Sequence, residues 1–538
     1  MRVHQAVARS LRENEVSRVF GVLGDANMQY IAHFIEHGGE FVNAVHEGGA
    51  VSMADGFARA SGAASVASVT HGPGMTNALT ALTEAVRARS PVLLLTADTP
   101  LRRDFVQQVD LRAAALVCGA EYRAVLTPDH VADDIAKALQ RVAVTGVPIV
   151  LDIAHQLLNR EVDYVPSRFG RRPADRVVPN EEALDEALGV LASASRPLIL
   201  GGVGAVAAGA HEELVALARQ VGAPLATTLL AKDFFREDPF DLGFFGTLSH
   251  PPALDTIQAA DCVVAFGASL NHYTTAEGSL LAGAAVIHCD IRPGAIGRYS
   301  AVDVGLVGDA ALTARLMREQ LESADLPPRT WCDSALRTRL DAQAPAHDYV
   351  DAGTETTMDP RTAVVELDRL LPASRTVVTD VGRFMRGPWL YLHVAEPGSF
   401  HHTVNFGSIG LGLATAVGAA FAHGDRPTIA VVGDGGAMMG LMEFTTAVRG
   451  AVPLVVVILN DDCYGAEYTK LKDAGLDPKY SLIAWPEFAD LAQSMGGHGV
   501  TVRNQQDLVR AADMVTRGLF PLLIDVKTDP TVDIGILG

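Results

Sequence analysis

Residues 428–440 read TIAVVGDGGAMMG, and residues 454–467 read LVVVILNDDCYGAE. Each stretch begins with an apolar run typical of a buried strand and continues into Gly, Asp and Asn residues typical of a turn. Asp434 and Asp461 are twenty-seven positions apart, an interval that fits one helix over 437–449 and the strand that follows it. We therefore expect both carboxylates at the carboxyl edge of a parallel sheet, where such folds bind ligands.

The glycines beside Asp434 favour a phosphate site at the same edge. Without side chains, Gly435 and Gly436 let backbone N–H groups approach a phosphate. Asp434 and Asp461 supply the oxygen ligands that Mg²⁺ prefers, and Mg²⁺ commonly bridges protein carboxylates to substrate phosphates. The alternative interpretation is a pair of glycine-rich turns with surface aspartates and no ligand.

Short apolar runs alternate with helical stretches in three successive parts of the chain, which predicts an α/β protein of three consecutive doubly wound parallel-sheet domains. The apolar runs of the first part are 19–23, 41–45, 64–70, 91–97 and 148–153, and its helical stretches are 3–14, 48–60 and 76–88. The second part contains PLILGG, APLATT, DCVVAFGA and AVIHCDI, and the third contains RTVVTDVG, PTIAVVGDGG, LVVVILND and PLLIDVK. Linkers at 165–179 and around 325–353 divide the chain, so the predicted domains are 1–165, 180–325 and 355–538.

Composition limits the partners that this chain can have. Its 538 residues carry a formal charge of −20, which would repel nucleic acid and anionic membranes. No apolar run reaches the length of about 18 residues that a membrane helix needs, and the N-terminus lacks a signal-peptide pattern. The five cysteines form no CxxC pair, which indicates a reducing compartment. We expect a cytoplasmic protein with no nucleic-acid or membrane partner.

With these motifs, the sequence resembles the thiamine-diphosphate-dependent enzymes of the pyruvate decarboxylase, acetolactate synthase and pyruvate oxidase group. Their metal motif is GDG followed, one helix and one strand later, by NN or ND. The resemblance implies that Mg²⁺ binds Asp434, the side chain of Asp461 and the backbone carbonyl of Cys463. Asp461 replaces the commoner second Asn, which keeps an oxygen ligand and adds a negative charge. The diphosphate site would be completed by Gly435, Gly436, Tyr464 and Gly465.

Two further motifs support the same resemblance. The segment AVHEGGAVSMADGFAR places Glu47 where the family's activating glutamate hydrogen-bonds the cofactor's pyrimidine ring, so that the ring's amino group becomes the internal base. By itself, a glutamate at this turn would be a helix-start residue favoured by the helix dipole. The segment NFGSIGLGLATAVGAA resembles the turn that bends the cofactor, with Ile409 as the apolar wedge, Ser408 beside it, and the carbonyl of Gly407 as acceptor for the amino group.

The resemblance also has a consequence for assembly. In this family the first domain (pyrimidine-binding) of one subunit meets the third domain (diphosphate-binding) of another, with the central domain between them in sequence. Glu47 and Asp434 would therefore meet across a subunit interface, which implies a homodimer or tetramer.

Substrate residues are less strongly marked. THGPGMTNA places His71 at the reaction centre by resemblance, where a histidine could move protons near neutral pH; a loop histidine bonded to backbone is the alternative. Gln107 in DFVQQVD lies where acetolactate-synthase-like members carry a glutamine. GVLGDANM and LNDDCYGAE place Asp25 and Glu467 at the active-site acids of 2-keto acid decarboxylases, although the adjacent His-His pair of those enzymes is absent from the first domain.

The central domain gives two weaker signals. GGVGAVAAGA at 201–210 resembles a dinucleotide-binding turn, but glycines at such turns commonly serve packing and no acidic residue takes the ribose role. GASLNHYTTAEG lacks the arginine-bearing stretch of flavin-containing acetolactate synthases, so we do not expect FAD. Arg292 in DIRPGAIG resembles a strand-end position seen across the group.

These motifs predict a lyase or transferase that uses thiamine diphosphate and Mg²⁺ on a small 2-keto acid or aldehyde. We favour 2-keto acid decarboxylation, carboligation, or both. The alternatives are a flavin-linked 2-keto acid oxidase, a lyase of 2-hydroxyketones or 2-hydroxyacyl thioesters and, most remotely, a cofactor-binding protein without turnover.

Overall fold

The computed structural model describes residues 1–98, 105–168, 170, 176–322, 329–343 and 348–535. Within them the chain forms three six-stranded sheets, and every strand pair in all three sheets is parallel. This confirms the predicted fold class. Parts of both predicted linkers, including 171–175 and 325–328, lie outside the described residues.

The first sheet comes from the N-terminal part of the chain and has the strand order β2-β1-β3-β4-β6-β5. Its strands are β1 Arg18–Gly21, β2 Glu40–Asn43, β3 Ser65–Ser68, β4 Val92–Thr96, β5 Glu121–Val125 and β6 Ile149–Ile153. Its helices are α1 Val3–Glu13, α2 Met28–Glu36, α3 Glu47–Ser61, α4 Pro73–Ala88, α5 Leu111–Cys118 and α6 Val131–Thr145, with 3-10 turns at Pro128–His130 and His155–Leu157.

The second sheet has the order β12-β11-β10-β7-β8-β9. Its strands are β7 Pro197–Gly201, β8 Leu225–Thr227, β9 Asp241–Phe244, β10 Cys262–Phe266, β11 Ala285–Asp290 and β12 Val304–Val307. Its helices are α7 Glu181–Ser193, α8 Val203–Ala207, α9 His211–Val221, α10 Pro251–Ala259, α11 His272–Thr275, α12 Ala310–Leu321 and α13 Ser334–Asp341, with 3-10 turns at Leu229–Ala231, Ser279–Leu281 and Pro293–Ala295.

The third sheet has the order β14-β13-β15-β16-β18-β17. Its strands are β13 Thr376–Thr379, β14 Phe400–His402, β15 Thr428–Gly433, β16 Leu454–Asn460, β17 His498–Val502 and β18 Leu522–Lys527. Its helices are α14 Pro360–Leu370, α15 Arg386–Tyr391, α16 Gly412–Ala422, α17 Asp434–Gly440, α18 Phe444–Gly450, α19 Gly465–Asp473, α20 Phe488–Ser494 and α21 Gln505–Thr516, with 3-10 turns at Arg383–Met385, Leu441–Glu443 and Pro478–Ser481.

The prediction of one helix over 437–449 is wrong in detail. The helical path begins at Asp434 and breaks into α17, a 3-10 turn and α18. The break lies at Gly440, where an added Cβ would be 2.7 Å from the carbonyl oxygen of Gly410. The backbone of the Gly407–Gly410 turn therefore packs directly against the helix that follows Asp434.

The N-terminal and C-terminal domains of one chain share a continuous apolar core that includes side chains from both sheets. Helices α3 and α16 cross in close contact at small residues. A Cβ on Gly56 would be 1.9 Å from the carbonyl oxygen of Thr415, and a Cβ on Gly418 would be 1.9 Å from that of Met53. Glycine at both positions is therefore required for this approach.

The central domain docks on the C-terminal domain through polar contacts. The buried Lys232 donates from Nζ to the carbonyl oxygen of Trp389 at 2.5 Å, and His393 Nδ1 lies 2.8 Å from Asp233 Oδ1. Among the described residues, no helix has the length and apolar character needed to cross a membrane.

Candidate active site

Asp434 and Asp461 lie at the carboxyl ends of the neighbouring strands β15 and β16, as the spacing predicted. Asp434 is 3% exposed, and its Oδ2 accepts hydrogen bonds from Cys463 N at 3.0 Å and Trp485 Nε1 at 2.9 Å. Burial, together with the negative charge of Asp461, raises the pKa of Asp434 to about 7. Two carboxylates that repel each other in a buried position form a local environment that favours a cation.

Asp461 has a partner that sequence reasoning missed. Arg383 Nη2 donates to Asp461 Oδ2 at 2.8 Å, and Nη1 donates to the carbonyl oxygens of Pro530 and Val532 at 3.0 and 3.1 Å. Burial raises the pKa of Asp461, and the charge of Arg383 opposes that shift. The arginine thus compensates for the extra negative charge that Asp brings to a position where the resembled group commonly has Asn. No motif marked Arg383, because it follows a different strand.

The glycines of the GDGG motif make room for a close approach of neighbouring groups. A Cβ on Gly436 would be 2.6 Å from Asp380 Oδ2, and a Cβ on Gly435 would be 2.5 Å from the ring of Tyr464. Asp380 is buried and accepts a hydrogen bond from Gly410 N at 2.7 Å and another from Thr403 Oγ1 at 3.0 Å. One side chain therefore connects the 407–410 turn with the GDGG turn.

The 407–410 turn presents Ile409 as a half-buried side chain outside the apolar cores of the described residues. Gly407 and Gly410 adopt positive φ angles of 82° and 91°, which glycine accommodates without strain. Glu84 of the N-terminal domain is 1% exposed and accepts hydrogen bonds from Asn405 Nδ2 and Phe406 N, both at 2.7 Å. The turn is thus anchored on both sides, with an apolar side chain between them.

These residues fit a magnesium diphosphate. Among the described residues, no three His, Cys, Asp or Glu side chains are grouped to hold a metal ion by themselves. A cation at this edge would take the two carboxylates and a backbone carbonyl from the protein, and its remaining octahedral positions suit the oxygens of a diphosphate. Ser408 and Gly465 lie at the same edge, in the 407–410 turn and at the start of α19.

Glu47 is the first residue of α3, at the carboxyl end of β2. Its side chain is half-buried and accepts a hydrogen bond from Asn77 Nδ2 at 3.0 Å. Both residues belong to the N-terminal domain, whereas the described partners of Asp434 and Asp461 belong to the C-terminal domain.

The turn before Glu47 is held by Glu443, which sequence reasoning also missed. Glu443 is 2% exposed and follows α17. Its Oε1 accepts hydrogen bonds from His46 N at 2.9 Å and Val45 N at 3.1 Å, and a Cβ on Gly49 would be 2.1 Å from the same oxygen. A buried carboxylate of the C-terminal domain therefore fixes the start of the helix that carries Glu47.

The structure brings His71 and Gln107 together, and His71 Nε2 lies 2.9 Å from Gln107 Oε1. Gly72 permits this contact, because its φ is +61° and a Cβ there would be 2.4 Å from the carbonyl oxygen of Gln107. Asp25 is exposed in the turn after β1, and Glu467 is exposed in the first turn of α19, so neither is buried within the chain. His155, which the sequence did not mark, lies beside His71 with ring centroids 6.0 Å apart.

The glycine-rich turn of the central domain is used in packing. Gly202 N donates to the carbonyl oxygen of Phe266 at 2.9 Å, and Gly204 N donates to that of Gly267 at 3.0 Å. A Cβ on Gly202 would be 2.3 Å from the Gly267 oxygen. These glycines allow two backbone segments to pack together. Arg292 follows β11 and pairs with Asp290, with Nε 3.1 Å from Oδ1.

All three parts of the chain match models of known protein families. Residues 1–114 match the N-terminal TPP binding domain of thiamine pyrophosphate enzymes, residues 184–317 match the central domain, and residues 380–526 match the C-terminal TPP binding domain. The chain is 30% identical to a sulfoacetaldehyde acetyltransferase of Alcaligenes xylosoxydans xylosoxydans, over 95% of this chain and 90% of the relative. It is 29% identical to an acetolactate synthase of Arthrospira platensis, over 97% and 93% of the two chains.

A solved structure has the same fold. The thiamine diphosphate-dependent 4-hydroxybenzoylformate decarboxylase of Rhodococcus jostii RHA1 matches with a TM-score of 0.82 and 22% identity, over 98% of this chain and 99% of that one. Fold and family matches together define a three-domain enzyme that uses a thiamine cofactor. The chain belongs to the thiamine pyrophosphate enzyme family, and thiamine diphosphate is its cofactor.

Proposed function

We propose that this enzyme decarboxylates a 2-keto acid, joins the resulting fragment to a second carbonyl compound, or does both. The observation that carries the proposal is the set of residues at two sheet edges. Asp434 and Asp461 lie together at one edge beside the glycines of the GDGG motif, and Glu47 lies at another, where Glu443 holds the turn before it. These are the positions that cofactor binding and activation require in the resembled group.

Each group has a distinct role in this proposal. Bound thiamine diphosphate supplies a nucleophilic carbon and accepts the electron pair that departing CO₂ leaves behind. Asp434, Asp461 and the carbonyl of Cys463 would hold Mg²⁺, and Gly435, Gly436, Tyr464 and Gly465 would surround the diphosphate. Ile409, Ser408 and the carbonyl of Gly407 would hold the cofactor between its two rings, and Glu47 would accept a hydrogen bond from its pyrimidine ring.

The proton-handling residues are Asp25, His71, Gln107 and Glu467. His71 is buried with its Nε2 bonded to Gln107, which fixes the ring at the carboxyl edge of the first sheet. Asp25 and Glu467 are exposed in one chain, as groups that face a substrate or a second subunit would be. Acids at these positions can protonate the carbon that has lost CO₂.

A complete site in this proposal needs two copies of the chain. Glu47 is half-buried and bonded within its own domain, while the carboxylates of the metal edge are bonded within theirs. We propose that the N-terminal domain (1–165) of one copy meets the C-terminal domain (355–538) of another, with 180–325 as the central domain. The assembly is then a homodimer or a tetramer.

Similarity to acetolactate synthase favours carboligation, and similarity in sequence to sulfoacetaldehyde acetyltransferase makes small aldehydes worth including as substrates. We propose that no flavin is needed. The two glycine N–H groups of the central domain's glycine-rich turn already bond to protein backbone, which supports a packing role for it.

The direct test is a screen of 2-keto acids, with and without aldehyde acceptors, that measures CO₂ and chiral hydroxyketones. Glu47→Gln should lower turnover at least ~10²-fold, because it removes the group that activates the cofactor. Glu182→Gln, an exposed glutamate in the first turn of α7, is the matched control and should keep the wild-type rate. A near-normal rate for Glu47→Gln with any accepted substrate would contradict the assignment.

A further inference from the structure

Three strand ends of the N-terminal sheet bring polar side chains to one region. Asp25 lies in the turn after β1, His71 lies after β3, and His155 begins the 3-10 turn after β6. Because all strands of this sheet are parallel, their carboxyl ends lie at one edge, the edge at which Glu47 follows β2. His155 therefore belongs to the same face of the domain as the proposed catalytic residues.

The rings of His71 and His155 are in contact. Their centroids are 6.0 Å apart at an interplanar angle of 89°. The ring centroid of Phe105 lies 5.9 Å from that of His71, also in an edge-to-face arrangement. The resembled decarboxylases carry two adjacent histidines in the first domain, and the first domain of this sequence has no such pair. The fold instead brings together two histidines from different strands.

Hydrogen bonding defines the state of the first ring. His71 Nε2 faces the amide oxygen of Gln107 at 2.9 Å, and because that oxygen can only accept, Nε2 carries the proton. In the neutral ring, Nδ1 is then the basic nitrogen. That atom is buried and has no hydrogen-bond partner among the described residues.

The second ring has the same feature. Nδ1 of His155 is also buried and lacks a partner among the described residues. A buried polar atom without a partner costs free energy, so two such atoms on touching rings indicate that a further group binds between or beside them. His71 itself is 2% exposed, which places one of these atoms in a well-enclosed position.

Charges around His155 come from identifiable neighbours. Burial lowers the pKa of His155, the nearby His71 lowers it further, and the carboxylate of Asp25 raises it. The carboxylate of Asp152, at the end of β6, accepts hydrogen bonds from the Tyr122 hydroxyl and from Asp98 N, both at 2.7 Å. Asp25 is thus the carboxylate whose charge raises the pKa of His155.

We propose that His155 is a positioning residue of the active site, which packs against the ring of His71 and holds that ring in place for proton transfer during product formation. This proposal rests on the function proposed above. His71 would take a proton from water on Nδ1, leaving hydroxide, and would pass that proton to the substrate-derived carbon after CO₂ has left. No redox partner is needed, since only protons move.

The first test uses the protein without cofactor, so its result does not depend on turnover. We expect histidine NMR titration to give His155 a pKa below 6.5, the ordinary value, because of burial. Asp25→Asn should lower that pKa further, since it removes the favourable charge, and His71→Gln should raise it. His37→Gln, an exposed histidine of the same domain, should leave it unchanged. If neither Asp25→Asn nor His71→Gln moves the His155 pKa, the proposed packing of His155 against His71 is contradicted.

The second test separates the steps of the reaction with a 2-keto acid that the wild-type enzyme accepts. His155→Gln should leave CO₂ release in the first turnover within about twofold of wild type, and should slow product formation about 10-fold or more, with a changed pH profile. Equal slowing of both steps, or an unchanged product rate and pH profile, would overturn the proposal. If no 2-keto acid reacts even with the wild type, the proposed function fails, and the NMR titration alone decides whether His155 packs against His71.

Discussion

Gly436 is a residue at which one added carbon would reach a buried carboxylate. Its Cβ would be 2.6 Å from Asp380 Oδ2, and Asp380 is fixed by hydrogen bonds from Gly410 and Thr403. We predict that Gly436→Ala lowers the affinity for thiamine diphosphate about 10-fold, or about 1.4 kcal/mol, because the turn must move to relieve the contact. Calorimetric titration with the cofactor and Mg²⁺ measures this.

The matched control is Gly424→Ala in the same domain. A Cβ at Gly424 meets no atom within 4 Å, so this variant should bind the cofactor as the wild type does. Equal affinities of the Gly436→Ala and wild-type proteins would mean that the GDGG turn does not approach the diphosphate.

His401 and His402 are buried in β14, which explains why this adjacent pair cannot replace a catalytic pair. Burial, with a smaller effect from Arg59, lowers the pKa of both histidines to about 3. They are protonated in the unfolded chain below pH 6.5, the ordinary histidine value, but remain neutral in the folded one. Stability is therefore complete above pH 6.5 and is lost as the pH falls below it.

We predict that the protonation of each of these two histidines in the unfolded chain lowers the unfolding free energy by about 1.3 kcal/mol between pH 7 and 5.5. Urea denaturation at a series of pH values measures the loss. His401→Leu should reduce the dependence of the unfolding free energy on pH, because it removes one of the two titrating groups. His401 Nε2 has no hydrogen-bond partner among the described residues, so the substitution breaks no bond at that atom. His37→Gln, at an exposed position, should keep the wild-type slope. A His401→Leu slope equal to wild type would contradict the explanation.

At the scale of elements, the crossing of α3 and α16 joins the helix that begins at Glu47 to the helix that follows the 407–410 turn. Both helices carry a glycine at the contact, Gly56 and Gly418, and each would place a Cβ 1.9 Å from a backbone oxygen. Because backbone cannot be moved as easily as a side chain, this contact is intolerant of added volume.

We predict that Gly418→Ala destabilises the protein by about 1–3 kcal/mol, measured by urea unfolding. Gly189→Ala in α7 is the matched helical control. Nothing lies within 4 Å of its Cβ, so it should stabilise by about 0.5–1 kcal/mol through helix propensity. If the two substitutions have the same effect, the helices do not cross in the way described.

Five of the six edge strands were not predicted from the sequence, whereas the edge strand β2 was. The missed strands β5, β9, β12, β14 and β17 all lie at the edges of their sheets, and the central strands were all found. A central strand of a parallel sheet is buried on both faces and is therefore a continuous apolar run. The five missed strands read EYRAV, DLGF, VGLV, FHH and HGVTV. Charged residues, glycines or histidines interrupt the apolar run in each of them.

At the scale of the whole molecule, the proposed active site is divided between two copies of the chain. Glu47→Gln and Asp434→Asn damage different halves of the same site. In a mixed dimer, one site receives both changes and the other receives neither. We predict that refolding the two inactive variants together in equal amounts restores about a quarter of wild-type activity, because half of the dimers are mixed and each has one intact site.

The control for this mixing experiment pairs Asp434→Asn with Asp461→Ala. Both changes damage the C-terminal half, so every site in every dimer remains defective and no activity should return. Failure of the first mixture to recover activity, with each variant folded and dimeric, would mean that Glu47 and Asp434 act within a single chain.

The sequence by itself determined the fold class and the placement of the GDGG motif and Asp461 at one edge of the third sheet. Central strands and glycine-rich turns are encoded by neighbouring residues, so their pattern is visible without the structure. The assignments of Glu47 and Ile409 rest on the resemblance of short motifs to those of the family, and they stay predictions.

Only the tertiary structure decided which distant residues support those motifs. Arg383 reaches Asp461 from a different strand, Glu443 crosses from one domain to hold the turn before Glu47, and His155 meets His71 across the sheet. Each of these contacts joins residues that are remote in sequence, and no local pattern marks them. Their identity depends on strand order and on how closely the domains pack, which is the physical reason that motifs alone could not reveal them.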